Sequence, residues 1–400
     1  MNLAVIGGGP AGLRAAEVAA QQGATVHLFD AKPSVGRKFL IAGKGGLNLT
    51  HSEPLAQFAS RYTSAGTQPD FWTSLLSDFD NTALRSWAAD LGIETFIGTS
   101  GRVFPKEFKS APLLRRWVER LRGLGVLFEM SHQLRSINTI DDRFSLEFKT
   151  HEGQKTLVFD AVILALGGAS YPETGSTGEW VEILSHLGIS ITPLSPANCG
   201  WEASWNSDIL EHAEGSPLKN ITVTAGAKTI AGELLITRYG LEGGALYQLG
   251  STLRRLPEPL LTIDLKPSFS VEELISKLPA HSSHIFESAV KNWKLSKPAS
   301  VLFKNFIAQD PLSNSLSLAR AAKSLSIPLT GPRPIAEAIS SAGGVAFSEL
   351  DDALMIKCLP GLFVAGEMLD WEAPTGGYLL QGCFATGTRA AKGACEFLEG

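Results

Sequence analysis

The first 30 residues constrain the fold more than any other part of the chain. An apolar run at residues 3–6 leads into Gly-Gly-Gly-Pro-Ala-Gly at residues 7–12. An alanine-rich helical pattern then runs from residue 11 to residue 22 and ends at Gly23, and a second apolar run at residues 25–29 ends at Asp30. A strand, a helix and a strand within about 30 residues form a βαβ unit, which predicts a parallel sheet.

The glycine spacing matches Gly-x-Gly-x-x-Gly, and each glycine has a physical role. Gly7 permits the tight turn, Gly9 lets the backbone approach a pyrophosphate, and Gly12 lets the helix pack closely on the strand. The helix N-terminus adds unpaired N–H groups and the positive end of a dipole. Asp30 lies at the end of the second strand, where a carboxylate accepts hydrogen bonds from ribose hydroxyls. A carboxylate there disfavours a 2′-phosphate in this site. The order of these elements predicts a dinucleotide site, and the alternative is a structural glycine-rich turn.

A second element near the C-terminus distinguishes a flavin from a nicotinamide. Residues 361–367 read as a strand that ends in small residues and the carboxylate of Glu367, which can accept a hydrogen bond from a ribityl hydroxyl. Gly376 and Gly377 then begin the last long helix, whose N–H groups could stabilise negative charge on a reduced flavin. We therefore expect FAD, and the alternative is an ordinary strand–turn–helix.

Composition limits the classes of protein that fit this chain of 400 residues. It is 44% hydrophobic and 19% charged, as in globular proteins, and no apolar run reaches the roughly 20 residues that span a bilayer. A net charge of -5, without a basic cluster containing interleaved aromatic residues, argues against nucleic acid as a partner. The four cysteines form no Cys-x-x-Cys and no His cluster accompanies them, so we expect no metal and a reducing, cytoplasmic location.

Further along the chain, the pattern predicts a parallel strand and an inserted domain. Residues 126–130, 144–148 and 156–159 read as a small antiparallel meander, and the apolar residues 161–166 as a strand of the central sheet. Short strand-like pieces and then amphipathic helices follow from about residue 190 to 325. We interpret that stretch as an insert.

Several motifs in order resemble one family over nearly the whole chain, the YhiN/BaiN-like flavoproteins, also called aminoacetone-oxidase-family proteins. The motifs lie at residues 7–12, 36–38, 45–50, 101–105, 167–172, 175–178, 232–237, 343–345 and 361–378. The resemblance implies an α/β fold: a glutathione-reductase-type, Rossmann-like FAD-binding domain with an inserted β-barrel and a small helical domain. The FAD-binding domain would comprise residues 1–190 and 326–400, and the substrate or lid domain residues 191–325, with the barrel at 191–268 and helices at 269–325.

The resemblance also implies where the FAD site lies. Residues 37–50 would wrap the pyrophosphate and flavin, with Lys38 as a phosphate or flavin partner and Asn48 near the ring. Alternatively, Arg37 and Lys38 are solvated surface charges. The full set of predicted cofactor-binding residues is Gly7, Gly9, Pro10, Ala11, Gly12, Asp30, Ala31, Lys32, Arg37, Lys38, Gly45, Asn48, Leu134, Ala165, Gly167, Gly366, Glu367, Asp370, Gly376, Gly377 and Tyr378.

One departure from the family pattern bears on the chemistry. Family members commonly carry Arg-Cys-Asn where this chain has Gly46, Leu47 and Asn48. A leucine cannot form a thiolate or a disulfide, which argues against thiol–disulfide chemistry through the flavin.

The expected function is FAD-dependent oxidoreduction, with hydride transfer between a small organic substrate and non-covalently bound flavin. NAD(P)H, if it is used, would bind only transiently, because the chain has a single Gly-x-Gly-x-x-Gly. No catalytic residue is assigned; Tyr171, Tyr378, Arg102 and His51 are candidates that could equally be packing residues. The alternatives are a flavoprotein that modifies RNA and a non-catalytic flavin-binding module.

Overall fold

A computed structural model describes residues 2–279, 284–307 and 314–400. The chain divides into two compact units, Met1–Ser195 with Ser340–Gly400, and Pro196–Ile339. The second unit continues beyond the expected end at residue 325, because the strands Leu325–Pro328 and Gly331–Pro332 pair with its own sheet. The first unit is therefore discontinuous in sequence.

The elements are numbered in chain order. The strands of the described residues are β1 (Asn2–Ile6), β2 (Thr25–Asp30), β3 (Thr50–His51), β4 (Thr63–Ser64), β5 (Thr95–Ile97), β6 (Arg102–Pro105), β7 (Leu127–Met130), β8 (Gln133–Ile140), β9 (Arg143–Thr150), β10 (Gly153–Phe159), β11 (Ala161–Leu164), β12 (Ile191–Ala197), β13 (Trp201–Glu202), β14 (Pro217–Ala225), β15 (Lys228–Thr237), β16 (Gly240–Glu242), β17 (Leu260–Asp264), β18 (Leu325–Pro328), β19 (Gly331–Pro332), β20 (Ser340–Val345), β21 (Leu362–Val364) and β22 (Trp371–Glu372).

The helices of the same residues are α1 (Pro10–Gln21), α2 (Arg37–Ala42), α3 (Leu55–Ala59), α4 (Phe71–Ser77), α5 (Asn81–Asp90), α6 (Ser110–Gly123), α7 (Trp180–His186), α8 (Ser207–His212), α9 (Gly244–Leu253), α10 (Val271–Ser276), α11 (Ile285–Asn292), α12 (Lys297–Phe306), α13 (Ser315–Lys323) and α14 (Tyr378–Glu399). Within the described parts of the chain, none of these helices combines the length and apolar character needed to cross a membrane.

A five-stranded parallel sheet in the order β21-β11-β1-β2-β7 forms the centre of the first unit. Every residue of β11 and β21 is buried, which explains why these strands are continuous apolar runs rather than alternating ones. Helices α1 and α14 pack closely, since a Cβ added at Gly387 would lie 2.4 Å from the Ala11 carbonyl oxygen. The expected meander is partly wrong: β7 joins the parallel sheet beside β2, and the antiparallel meander is β8, β9 and β10.

A buried carboxylate links three helices behind this sheet. Glu17 of α1 is fully buried and accepts hydrogen bonds from the indoles of Trp87 and Trp117, both at 2.9 Å. The guanidinium groups of Arg14, at 3.3 Å, and Arg120, at 3.1 Å, balance its charge. These partners satisfy a group that would otherwise be costly to bury. The network holds α5 and α6 against α1. This helix begins within the Gly-x-Gly-x-x-Gly segment at residues 7–12, called the glycine loop below.

The second unit is built on a seven-stranded sheet in the order β18-β17-β14-β15-β16-β13-β19, in which neighbouring strands are antiparallel. Its hydrophobic core is separate and includes the fully or almost fully buried side chains of Trp201, Val223, Ile236, Trp293 and Phe303. Two cores agree with the division of the chain into two units.

Candidate functional site

A cavity of about 320 Å³ opens in the first unit where β1, β2, β11 and β21 end. Ligands of open α/β folds bind at the carboxyl ends of parallel strands, and this volume lies in the range of small-molecule sites. The predicted cofactor-binding residues that line it are Gly7, Gly9, Pro10, Ala11, Asp30, Ala31, Lys32, Arg37, Lys38, Leu134, Ala165, Gly167, Gly366 and Glu367. They come from five separate parts of the sequence, which the fold brings together.

The glycine loop shows a different constraint at each glycine. Gly7 has φ +111°, and a Cβ there would lie 2.2 Å from the carbonyl oxygen of Ala165. A Cβ on Gly12 would lie 1.9 Å from the Gly7 carbonyl oxygen. A Cβ on Gly9, in contrast, would have no atom of the described protein within 4 Å. The loop therefore packs tightly at Gly7 and Gly12, and leaves open space above Gly9 for a ligand.

Asp30 is held in place by two backbone donors. Its Oδ2 accepts the Gly8 N–H at 3.0 Å, and its Oδ1 accepts the Lys32 N–H at 2.7 Å. Burial raises the pKa of Asp30, and the two N–H bonds partly oppose that rise. Each oxygen still has a lone pair available, so the carboxylate can also accept a ribose hydroxyl.

Lys38 and Glu367 form an ion pair on the wall of the cavity. The Lys38 Nζ lies 2.6 Å from Glu367 Oε2 and 2.6 Å from the Ser170 Oγ. The other carboxylate oxygen of Glu367 accepts the Ser341 N–H at 2.8 Å. Lys38 is thus neither a solvated surface charge nor an isolated cation, because it ties α2 to the segments that follow β11 and β21.

Cys383 of α14 also lines the cavity, although no sequence pattern indicates a binding residue at this position. Burial raises the pKa of its thiol to about 12, with the nearby Glu367 carboxylate adding to the rise and Lys38 opposing it. The thiol is therefore neutral near pH 7. No group of side chains able to hold a metal ion occurs among the residues that the structure describes.

Seven predicted residues do not line this cavity: Gly12, Gly45, Asn48, Asp370, Gly376, Gly377 and Tyr378. The side chain of Asp370 accepts a hydrogen bond from the Thr192 hydroxyl at 2.7 Å. Gly377 has φ +96°, and a Cβ there would lie 2.5 Å from the backbone of Thr50. The Oδ1 atom of Asn48 is buried and has no hydrogen-bond partner among the described residues. Because buried polar atoms are normally paired, Asn48 is a candidate to contact a ligand.

Tyr378 and His51 are already engaged within the protein. The Tyr378 hydroxyl donates to Glu53 Oε1 at 2.7 Å, and its ring stacks on His51 with centroids 5.4 Å apart. Burial raises the pKa of Tyr378, and the bond to Glu53 adds to this effect. His51 Nδ1 accepts the Glu53 N–H at 3.2 Å, so Nε2 carries the proton and donates to the Ser100 carbonyl at 2.9 Å. Both ring nitrogens are thus satisfied in the neutral form.

The other two candidates differ from this pair. Arg102 is exposed and forms no ion pair with any described residue, while its Nε lies 3.8 Å from the Cβ position of Gly376. Tyr171 has φ +54° and precedes the short 3-10 turn Pro172–Thr174.

Sequence reasoning did not place several cavity residues in the site. They are Ile6, Gly8, Phe29, Gly36, His132, Gln133, Leu166, Thr174, Gly175, Ser176, Thr177, Glu179, Trp180, Ile183 and Cys383. The glycines around Ser176 were a usable signal, since they mark a loop beside the sheet. His132 and Trp180 carried none, because only the tertiary fold brings them to this edge.

A model of the HI0933-like protein Rossmann domain matches residues 1–393 of this sequence. The chain belongs to this family. It is 26% identical to a 3-dehydro-bile acid delta(4,6)-reductase of Clostridium scindens, over 99% of both chains. It is 27% identical to a ribosomal RNA dihydrouridine synthase of Haemophilus influenzae, over 94% of both chains.

Among solved structures, a 3-ketosteroid-delta4-(5alpha)-dehydrogenase from Rhodococcus jostii RHA1 has the same fold, with a TM-score of 0.55 and 16% identity over 98% of this chain and 96% of that chain. As a member of this family, the chain is an FAD-dependent oxidoreductase with a Rossmann-type FAD-binding core. The expectation that nucleic acid is no partner finds no support here, since one relative carries the name of an RNA-modifying enzyme.

Proposed function

We propose that this HI0933-like oxidoreductase transfers a hydride between bound FAD and a carbon–carbon double bond conjugated to a carbonyl group in its substrate. The observation that carries the cofactor part is the cavity above Gly9, bounded by Asp30 and by the Lys38–Glu367 pair. When bound, FAD supplies the two-electron hydride chemistry. The protein would position the FAD and the substrate and provide the charges and hydrogen bonds around them.

The residues of the cavity, together with the adjacent backbone N–H of Gly12, fit the successive parts of FAD. The first-turn N–H groups of Ala11 and Gly12 have no intrahelical acceptor and would hold the pyrophosphate above Gly9. Asp30 would accept a ribose hydroxyl and Glu367 a ribityl hydroxyl. The cavity alone does not hold the whole predicted set, so Asn48, Gly376 and Gly377 would contact the flavin outside it.

The substrate class rests on what the two relatives share. The name of one describes reduction of the double bonds of a 3-oxo bile acid, and the name of the other describes conversion of uridine to dihydrouridine. Each double bond is conjugated to a carbonyl, directly or through a second double bond. A hydride therefore adds to the carbon of the double bond farther from the carbonyl, which is the β-carbon when conjugation is direct, and a proton adds to the nearer one. NAD(P)H that binds transiently would supply the hydride equivalent and leave as NAD(P)⁺.

The second unit is the candidate substrate or lid domain. Loops and domains around a rigid cofactor scaffold usually determine specificity, which supports this role. All four cysteines are unpaired, in keeping with a reducing, cytoplasmic location.

The test uses the FAD-loaded protein under anaerobic conditions. The flavin is reduced with NADPH or by light, and its absorbance is followed after addition of a steroid enone, a saturated ketone of similar shape, or a uridine-containing RNA. We expect the conjugated compound to reoxidise the flavin, with a saturated carbon–carbon bond in the product, and the saturated ketone to leave it reduced. Equal rates with enone, saturated ketone and buffer would refute the proposed substrate class, while absence of bound or bindable FAD would refute the cofactor assignment.

A further inference from the structure

Three phenylalanine rings meet on the hairpin of β5 and β6 in the first unit. Phe96 and Phe104 are paired across the two strands, with ring centroids 5.8 Å apart. Phe108 joins them at 5.1 Å from Phe96 and 5.4 Å from Phe104. Phe108 is 47% exposed, and neither of the other two is buried. A contiguous, partly exposed cluster of aromatic rings marks an interaction surface rather than scattered surface residues.

The backbone fixes the exposed ring in place. Phe108 has φ +59°, in the left-handed region that a bulky residue rarely adopts. Its N–H donates to the Pro105 carbonyl at 2.9 Å, and its own carbonyl accepts the Leu47 N–H at 2.7 Å. Strained backbone persists only where the surrounding structure holds it, and such positions concentrate at functional surfaces.

Cations lie at both ends of the ring cluster. Arg102 is two residues before Phe104 in β6, and therefore projects from the same face of the strand. At the other end, Lys109 follows Phe108 directly. Lys44 belongs to the loop in which the Cβ position of Gly46 lies 3.3 Å from the ring of Phe108.

These cations are available for a ligand. Lys44, Arg102 and Lys109 form no ion pair with any residue of the described ranges, and all three are exposed. Lys106 pairs with Glu94. Glu107 is the one remaining acid between residues 94 and 109, so positive charge is in excess on this surface. The aromatic strip is defined here as Phe96, Phe104 and Phe108 together with Lys44, Arg102 and Lys109.

We propose that the aromatic strip binds single-stranded RNA. Rings on which bases stack, flanked by cations that follow the phosphate backbone, are the two components of single-strand binding surfaces. A small amphipathic acid would need one cation beside an enclosed apolar site, whereas here the cations flank an exposed surface at both ends. Four of the six residues lie at positions 102–109, where cations and phenylalanines alternate, and Lys44 and Phe96 join them only in the fold. This proposal does not depend on the reduction proposed above.

The test measures fluorescence anisotropy of a labelled single-stranded RNA of roughly a dozen nucleotides with the FAD-loaded protein. Phe108→Asn removes the stacking ring, and asparagine tolerates the left-handed backbone, so the fold is kept. We expect the Kd to rise about five-fold or more. For the double variant Lys44→Gln/Lys109→Gln, the slope of log K against log salt should fall in magnitude by about 1.4, or about 0.7 for each cation.

Matched controls come from the same unit. Phe397 is 39% exposed on α14, and Lys149 is exposed on β9, so Phe397→Asn and Lys149→Gln remove a similar ring and charge elsewhere. Both should bind RNA as the unmodified protein does, and flavin absorbance should confirm that every variant retains FAD.

Three results would overturn the proposal. They are failure of the unmodified protein to bind the RNA at low salt, an unchanged Kd in Phe108→Asn, and an equal loss in the control variants. A dimer that Phe108→Asn dissociates would assign the strip to a second copy, and binding of cholate that requires Phe108, without RNA binding, would assign it to an amphipathic acid. Reoxidation of the reduced flavin by a small enone needs no RNA, so failure of the strip would leave the proposed reduction standing, and the converse also holds.

Discussion

Replacement of Gly9 separates cofactor binding from folding. Gly9 has φ -81° and ψ -178°, an extended conformation that any residue adopts, and its Cβ position is open. Gly9→Val should therefore change the free energy of unfolding of the FAD-free protein by no more than about 0.5 kcal/mol, as at a surface position. The same side chain would occupy the space that the pyrophosphate needs.

The cost to FAD binding follows from the hydrogen bonds that are lost. If the valine displaces the pyrophosphate from the N–H groups of Ala11 and Gly12, two charge-assisted hydrogen bonds are lost, at about 1.5–3 kcal/mol each. A total of about 3–6 kcal/mol corresponds to a rise in Kd of about 10²- to 10⁴-fold.

Gly12→Ala and Gly7→Ala should, unlike Gly9→Val, destabilise the fold itself. The alanine Cβ at Gly12 would overlap the Gly7 carbonyl oxygen at 1.9 Å, and overpacking of this kind costs about 1–3 kcal/mol. At Gly7, the positive φ adds about 1–2 kcal/mol for any L-residue. Both variants should lose stability even without FAD.

Two measurements on each variant, the Kd for FAD by flavin fluorescence and urea unfolding of the FAD-free protein, distinguish these effects. The reasoning is refuted if Gly9→Val binds FAD within ten-fold of the unmodified protein, or if it destabilises the FAD-free protein as much as Gly12→Ala does.

Three further predictions follow from the charges and thiols of the first unit. Asp30→Asn should raise the Kd for FAD about 10- to 100-fold, as expected for the loss of a ribose hydroxyl's hydrogen bond to a charged acceptor. That hydrogen bond needs the ionised carboxylate, and the pKa of Asp30 is raised. FAD binding by the unmodified protein should therefore weaken on acidification at a pH above the ordinary Asp value of about 3.9. Glu17→Gln should lower the free energy of unfolding in urea by about 3 kcal/mol, because two guanidiniums lose their partner, while the exposed control Glu119→Gln should stay within about 0.5 kcal/mol. Iodoacetamide at pH 8 should alkylate the exposed Cys358 well before Cys383, whose thiol pKa is about 12, and equal labelling in peptide mapping would contradict this assignment.

The sequence predicts the centre of the fold because local signals there agree with the tertiary structure. The glycine loop, the helix after it and Asp30 follow one another within a single βαβ unit, and β11 is apolar throughout because both of its faces are buried. The meander prediction failed at β7, since a short alternating strand does not reveal its partner. In the structure β7 pairs with β2 in register from His27↔Leu127 to Asp30↔Met130, a parallel contact between distant segments.

The candidate site was likewise predicted in part from the sequence. Fourteen of the predicted residues line one cavity, mostly those in the glycine loop, after β2 and after β21. Residues such as Trp180 and Cys383 were missed because each stands on a helix whose pattern reports burial and not which cavity the side chain reaches. The role of Lys38 as the partner of Glu367 was equally invisible, since 329 positions separate the two in sequence.

The candidate residues differ in whether their polar atoms are already hydrogen-bonded within the protein. A side chain that donates and accepts fully within the protein must break those bonds to act on a substrate, and His51 and Tyr378 are in that condition. Arg102 has no carboxylate partner among the described residues, and the buried Oδ1 of Asn48 lacks a donor there. Because a buried acceptor without a donor costs about 1–3 kcal/mol, Asn48 gains most from a ligand N–H. Asn48, rather than His51 or Tyr378, is therefore the candidate for contact with the flavin, and Arg102 stays assigned to the aromatic strip.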